Sequence, residues 1–219
     1  MVDLGVLVSG SGSNLQAIID NIEKGRVDAR IKVIISNVPE VYALERAKKH
    51  GIPSTVLPHK GLRREDYDQR LVEALKAKGV ELVILAGFMR IITPVLLRAF
   101  SMRVMNIHPA LLPSFPGTHV WQAEVDYGVK FAGCTVHFVD EGTDTGPIII
   151  QAVVPVYDDD TADTLNARIL EQEHRIYSQA IQLYAEGRLE VHGRRVLARD
   201  FPKAPYTSMI NPPARIFDK

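Results

Sequence analysis

The stretch VLVSGSGSNLQAIID, residues 6–20, decides how the chain is read. Val6 to Val8 close an apolar run, Gly10 and Gly12 mark a tight turn, and Leu15, Ile18, Ile19 and Ile22 recur at helical spacing. Strand, glycine turn and helix in succession open a wound α/β sheet. The first turn of a helix leaves N–H groups unpaired and directs the positive end of its dipole outward. Residues 10–14 are therefore either an anion site or a plain strand-to-helix turn with Ser13 or Asn14 as N-cap.

The kind of anion can be narrowed. A dinucleotide fingerprint needs a third glycine and an acidic residue about twenty positions on. Leu15 occupies the glycine position, and the next strand, IKVIISN, ends in Ser36 and Asn37 without a carboxylate. A Walker loop needs Gly-Lys-Ser/Thr, and no lysine follows Gly12. A single phosphate remains, with Gly12 allowing close backbone approach and Ser13 and Asn14 adding side-chain donors.

Outward from this stretch, apolar runs at residues 4–8, 31–35, 54–57, 82–86 and 104–108 alternate with amphipathic segments at 15–24, 41–50 and 64–78. That alternation predicts a wound, mostly parallel sheet. Gly51 and Gly79 stop two of the helices, and Thr93-Pro94 opens another, with threonine as N-cap and proline at N1. The character changes later. Residues 131–138 and 148–156 form two strand-like runs with no helix between them, predicting an antiparallel extension. A long helix follows over 161–186, opened by the acidic run Asp158 to Asp160. LEVHGRRVLA, residues 189–198, reads as a hairpin, and the four prolines after Phe201 read as a loose tail packed on the surface.

Composition excludes some partners. The chain has 219 residues, and 26 Lys plus Arg balance 26 Asp plus Glu, so no net field favours nucleic acid or an anionic membrane. No apolar run is long enough for a membrane span, and the N-terminus reads as a first strand rather than a signal peptide. One cysteine, Cys134, excludes an internal disulfide and fits a cytoplasmic location.

Two further stretches carry chemistry. In VMNIHPALLPSFPG, residues 104–117, Asn106 and His108 are two apart on a strand, so they leave the same face. They stand at its carboxyl end, where open α/β sheets place ligands, and Pro109, Pro113 and Pro116 stiffen the loop beyond it. An amide and an imidazole there can stabilise an oxyanion and move a proton, or merely satisfy the loop backbone. In HFVDEGTDTGP, residues 137–147, Asp140, Glu141 and Asp144 sit in a glycine-bearing loop. These carboxylates form a solvated turn or supply a partner for His108. Cys134 and His137 have C-x-x-H spacing, but residues three apart on a strand face opposite sides, so no zinc site is expected. Cys134 reads as a small core residue.

Taken together, SGSGSNLQAI, LAGFMRI, NIHPALLPSFPG, VHFVDEGTDTGPII and EQEHRIY resemble the blocks of the folate-dependent glycinamide ribonucleotide transformylases, in that family's order, to about residue 188. The resemblance implies a Rossmann-like formyltransferase fold with a C-terminal antiparallel extension and long helix. It implies a catalytic domain over 1–188, phosphate-binding in its N-terminal half and folate-binding in its C-terminal half. Residues 189–219 would be a hairpin and tail packed on that domain. The implied reaction moves a formyl group from 10-formyltetrahydrofolate, a co-substrate, to the amine of glycinamide ribonucleotide in purine synthesis, with no metal.

Asn106, His108 and Asp144 are the implied catalytic set. Gly12, Ser13 and Asn14 would hold the monophosphate, and Glu173 the ribose, with Leu170, Glu171 and Gln172 close by. Met89, Arg90, Ile91 and Ile92 would line the pterin, Asn106 would also contact the folate, and Asp140, Glu141, Gly142, Thr143 and Asp144 would close over it. Arg64 would lie near the folate's glutamate carboxylate. The plainer reading of FMRII is a strand end with Met89 and Ile91 as core. Departures from the pattern are Trp121 and the tail after Leu197. The implied partners are small molecules, with the chain a monomer or homodimer. Other readings are a different 10-formyltetrahydrofolate-dependent formyltransferase, a formyltetrahydrofolate hydrolase, or a non-catalytic phosphate-binding module.

Overall fold

A computed structural model describes residues 1–200; the expected tail over 201–219 lies outside the described residues. Strand β1 (Val2–Val8) is central. On one side lie β2 (Ala29–Ser36) and then β3 (Ser54–Val56); on the other lie β4 (Leu82–Leu85) and then β5 (Val104–His108). All five run parallel. The strand order 3-2-1-4-5 reverses direction of growth beside β1, the place where doubly wound sheets bind ligands.

The crossovers divide the helices between the two faces. Helices α1 (Ser13–Glu23) and α2 (Tyr42–Lys49) join α5 (Val120–Tyr127) and α6 (Ala162–Ala185) on one face, where Leu4, Val6, Ile34, Ile84 and Met105 meet Leu15, Ile19, Ala43 and Ile169. Helices α3 (Arg64–Ala77) and α4 (Pro94–Ala99) cover the other through Tyr67, Leu71, Leu75 and Leu96 against Leu7, Ile35 and Leu85. Strands covered on both faces must be apolar throughout, which is why the runs show little alternation.

Beyond β5 the sheet turns antiparallel through β6 (Phe131–Phe138) and β7 (Ile148–Pro155), as the absence of an intervening helix predicts. The hairpin of β8 (Leu189–His192) and β9 (Arg195–Ala198) joins the edge of β7 through the pair Ile148 and Arg195. Helix α6 ties the two halves together. The buried hydroxyl of Tyr177 lies 3.0 Å from the Leu85 carbonyl and 2.9 Å from that of Met105, so it sits between β4 and β5.

Local chemistry differs from the sequence expectation in three places. Helix α1 is capped by Gly12 in the left-handed region at φ 72°, not by Ser13 or Asn14, and no side chain closes its first turn. Thr93 holds the N-cap position of α4, but its N–H and hydroxyl both donate to Asp68 Oδ2, at 2.6 and 2.7 Å, so it ties α4 to α3 instead of capping. The acidic run before α6 acts mainly through pairing. Asp160 takes Arg168 bidentately at 2.7 and 2.9 Å, and Thr161 caps the helix with Thr164.

Among the described residues, one buried acid has no partner. Glu124, on α5, is 1% exposed and its Oε2 finds no donor. Burial pushes its pKa up to about 8. Between the ordinary carboxylate value and about 8 the folded chain keeps a proton that the unfolded chain has lost, so stability falls as pH rises through that window. Glu124→Gln removes the ionisation. Thermal melts between about pH 5 and pH 9 should show a flatter pH dependence for the variant and a stability advantage that grows toward the alkaline end. Parallel curves for the two proteins would contradict this.

Candidate active site

The carboxyl ends of β1, β4 and β5 deliver three loops to one edge of the sheet, and three hollows lie in a row along it. The first, about 220 Å³, is walled by Ser9 to Asn14 with Ala86, Gly87 and Met89. The second, about 470 Å³, shares Gly87 and Met89 with it and adds Asn106, His108, Trp121 and Asp144. The third, about 130 Å³, shares Asn106 and Asp144 with the second and is closed by Phe88, His137, Asp140 and Gly142. A larger open hollow, about 590 Å³, lies between α1 and α6 and holds none of the expected catalytic residues.

At the centre, antiparallel pairing sets the geometry. Asn106 lies opposite His137, and His108 opposite Thr135. Opposed residues in such a ladder share a face, so strand register brings the amide and both imidazoles together. His137 is buried, with Nδ1 2.8 Å from the Phe138 carbonyl and Nε2 3.2 Å from Asn106 Nδ2. Nδ1 therefore carries the hydrogen, and bare Nε2 accepts from the Asn106 amide. Burial holds the His137 pKa below its ordinary value, which keeps the ring neutral.

His108 is held differently. Its Nε2 donates to the Phe115 carbonyl at 2.8 Å, and its Nδ1 lies 3.4 Å from Asp144 Oδ2. Asp144 Oδ2 also accepts the Gly117 N–H at 2.9 Å, and Oδ1 lies 3.8 Å from His137 Nε2. Asp144 adopts φ 54°, a left-handed conformation that aspartate tolerates better than most residues. The loop after β5 is pinned from behind by Thr135. Its hydroxyl donates to the Ala110 carbonyl at 2.6 Å and accepts the Leu112 N–H at 3.1 Å. The two expected loops therefore meet, and Phe115 and Gly117 bridge them.

At the first hollow, no acceptor among the described residues takes the N–H groups of Ser11, Gly12, Ser13 or Asn14. A side chain at Gly12 would lie 2.8 Å from Ala43 Cβ, so only glycine fits both the space and the dihedral angle. Asn14 Nδ2 donates to Glu173 Oε2 at 2.7 Å, while the buried Asn14 Oδ1 has no donor among the described residues. Burial raises the pKa of Glu173. Leu170 lies one turn before Glu173 on α6, Glu171 is exposed, and Gln172 accepts from Arg175.

The other expected residues divide. Met89 and Ile91 line the second hollow with 70% and 54% of their surface exposed, which overturns the reading of them as core; Ile92 is buried. The Arg90 guanidinium stacks 4.4 Å over Tyr67, and its buried Nε has no partner among the described residues. Asp140 turns inward, accepting from Gly142 N–H and Thr145 Oγ1, while Glu141 and Thr143 are exposed. Arg64 begins α3, is exposed and lines none of the three hollows.

Sequence reasoning misses two residues. It weighs His137 only as a metal ligand, because the place of that ring opposite Asn106 depends on strand register. Ser9 stands in the opening stretch itself. Its hydroxyl donates to Asn37 Oδ1 at 2.6 Å and accepts the Met89 N–H at 2.8 Å, joining the glycine turn to the FMRII segment.

The family model described as formyl transferase matches residues 3–181. The chain belongs to the formyl transferase family. It is 40% identical to the phosphoribosylglycinamide formyltransferase of Escherichia coli over 192 residues, 87% of this chain and 91% of that one. It is 47% identical over 187 residues to the trifunctional purine biosynthetic protein adenosine-3 of Drosophila melanogaster; that covers 84% of this chain but only 14% of the relative. Among solved structures, glycinamide ribonucleotide transformylase 1 from Symbiobacterium toebii matches with a TM-score of 0.89 and 50% identity, over 90% of this chain and 94% of that one. The formyltetrahydrofolate deformylase of Pseudomonas syringae also matches, with a TM-score of 0.85 and 26% identity, over 90% of this chain and 65% of that one. The transformylase fold, with its parallel sheet, antiparallel strands and long helix, is the one observed here.

The ring of His137 offers a direct check on this site. Nitrogen NMR of histidine-labelled protein should show His137 as the Nδ1–H tautomer, titrating below the ordinary histidine value. A His137 signal that is charged at neutral pH would contradict the assigned network.

Proposed function

We propose that this formyl transferase moves a formyl group from 10-formyltetrahydrofolate to the amine of glycinamide ribonucleotide, giving formylglycinamide ribonucleotide and tetrahydrofolate. The observation that carries this reading is the order of the three hollows. A helix start with open N–H groups, a hollow that sets the amide, imidazole and carboxylate beside the apolar Met89 and Ile91, and a third hollow under residues 140–144 open into one another through Gly87, Met89 and Asn106. Each part suits one portion of the reacting pair. Residues 1–188 act as the catalytic unit, with the glycine turn on the phosphate side and much of the folate side formed later in the chain.

The N–H groups of Gly12, Ser13 and Asn14 receive the phosphate, whose charge also suits the positive end of α1. A ribose hydroxyl supplies the donor that Asn14 Oδ1 lacks, and Glu173 accepts a second. The pterin lies against Met89 to Ile92, where exposed apolar side chains gain burial and Arg90 Nε gains a partner. The segment 140–144 closes over it.

The chemistry is set by where charge develops. The amine attacks the formyl carbon, and the formyl oxygen becomes an oxyanion. Asn106 Nδ2 has two hydrogens; His137 takes one and the other donates to that oxygen. At 3.4 Å, the His108 to Asp144 contact is longer than a good hydrogen bond, so a protonated Nδ1 can be shared with the oxyanion. Asp144, directly or through water, accepts the proton that the amine loses as the C–N bond forms. Collapse of the tetrahedral intermediate breaks the bond to N10 of the folate, which takes up the proton that Asp144 received from the amine. No covalent enzyme intermediate is required.

His108→Asn should lower turnover roughly 10² to 10⁴-fold, the range for removing a general acid or base, with folate affinity nearly intact. Steady-state kinetics with both substrates varied test this; near-normal turnover would remove His108 from the chemical step.

The acceptor is tested separately. Purified protein should transfer formyl from 10-formyltetrahydrofolate to glycinamide ribonucleotide, react poorly with the phosphate-free nucleoside, and ignore methionyl-tRNA. Donor hydrolysis at the ribonucleotide rate would favour a deformylase instead, and no donor consumption would favour a binding module.

A further inference from the structure

A planar trans peptide points its C=O and N–H in opposite directions, so whatever holds the carbonyl also aims the next N–H. In the glycine turn both outward carbonyls are held by α2. The Gly10 carbonyl accepts the Ala43 N–H at 3.2 Å, and the Ser11 carbonyl accepts Arg46 Nε at 2.9 Å. Arg46 is itself fixed: its Nη1 donates to Gln16 Oε1 at 2.9 Å, and its guanidinium lies 4.6 Å over the Tyr42 ring. Gln16 Nε2 in turn contacts Asp20 Oδ1 at 2.7 Å and His50 Nε2 at 3.1 Å, with His50 Nδ1 2.6 Å from Glu23. No carboxylate among the described residues stands within ion-pair distance of Arg46, so this partly buried charge is unmatched beside an anion-shaped turn.

We propose that Arg46 is a positioning residue for the substrate phosphate. By holding the Ser11 carbonyl outward it turns the Gly12 N–H into the first hollow, and its charge favours the dianion that binds there. This rests on the reading of the turn as the ribonucleotide's phosphate site. Arg46 does not line the hollow and acts through the backbone.

Three variants test it: Arg46→Ala, Arg46→Lys, and Gly12→Val, which blocks the turn itself. Arg46→Ala should raise the ribonucleotide KM about tenfold to a hundredfold, the range for a charge-assisted hydrogen bond. It should leave the folate KM and turnover within about twofold, and weaken competitive inhibition by inorganic phosphate in proportion. Arg46→Lys keeps the charge but not the fixed planar donor, so it should fall between wild type and Arg46→Ala; it also serves if the alanine variant does not fold. Equal rises in both KM values with a lower melting temperature would mean a merely structural role and overturn the proposal. A selective effect of Gly12→Val with none from Arg46→Ala or Arg46→Lys would overturn the proposal alone. If inorganic phosphate does not compete with the ribonucleotide on the wild type, and the phosphate-free nucleoside binds as tightly, the phosphate reading fails and the proposal with it.

Discussion

Strand β1 is covered on both faces, and that burial orders the rest of the molecule. Leu4, Val6, Leu7 and Val8 are shut away from water, so helices must lie above and below the strand. Two helical layers on parallel strands require crossovers, and crossovers make every strand of the parallel half point the same way. The carboxyl ends of β1, β4 and β5 then have no choice but to meet along one edge. Ser9 to Asn14, Gly87 to Ile92 and Asn106 to His108 are neighbours for that reason, although nearly a hundred residues separate the first from the last. The chemistry at this edge is a consequence of hydrophobic burial several residues upstream.

Along the edge, polar groups are committed to one another in a way that leaves particular hydrogens available. His137 spends Nδ1 on its neighbour's carbonyl and must accept at Nε2, which fixes the Asn106 amide and frees its second hydrogen. His108 is held at Nε2 by the Phe115 carbonyl, which leaves Nδ1 facing Asp144 at 3.4 Å. A cluster satisfied in this manner is rigid before substrate arrives, and preorganised donors are worth more to a developing oxyanion than donors that must reorient. Ser9 extends the rigidity to the glycine turn, since one hydroxyl serves both Asn37 and the Met89 backbone.

Periodicity and glycine placement made the layered sheet legible, because they report burial, the term that dominates folding. The chain order of β1 to β5, the antiparallel turn at β6 and the span of α6 are all encoded in apolar spacing. The hidden features depend on partners far apart in sequence. Asn14 looks like a cap for α1, yet its amide is taken by Glu173, 159 residues away, and Gly12 caps the helix instead. Thr93 looks like a cap for α4, yet Asp68 claims both its donors. Met89 and Ile91 pass for core by composition, but the turn after β4 presents them to solvent. His137 can be paired with Asn106 only by knowing the register of β5 against β6. Local pattern reports which residues are buried; it does not report which polar group a buried neighbour will claim.

The formyl transferase fold leaves open what accepts the formyl group. A deformylase shares it at a TM-score of 0.85, so likeness of fold cannot choose between an amine and water. The choice lies in how the nucleophile is held. Water has no remote anchor, whereas a ribonucleotide can use its phosphate, far from the reacting carbon, to fix its amine at the centre. Binding energy realised away from the reaction is what turns a bimolecular encounter into an oriented one. The glycine turn of residues 10–14, gripped from outside by α2 and open from inside, is the part of the molecule that the proposed function gives that task. On the proposed reading it selects the acceptor, while Asn106, His108 and Asp144 carry out the transfer.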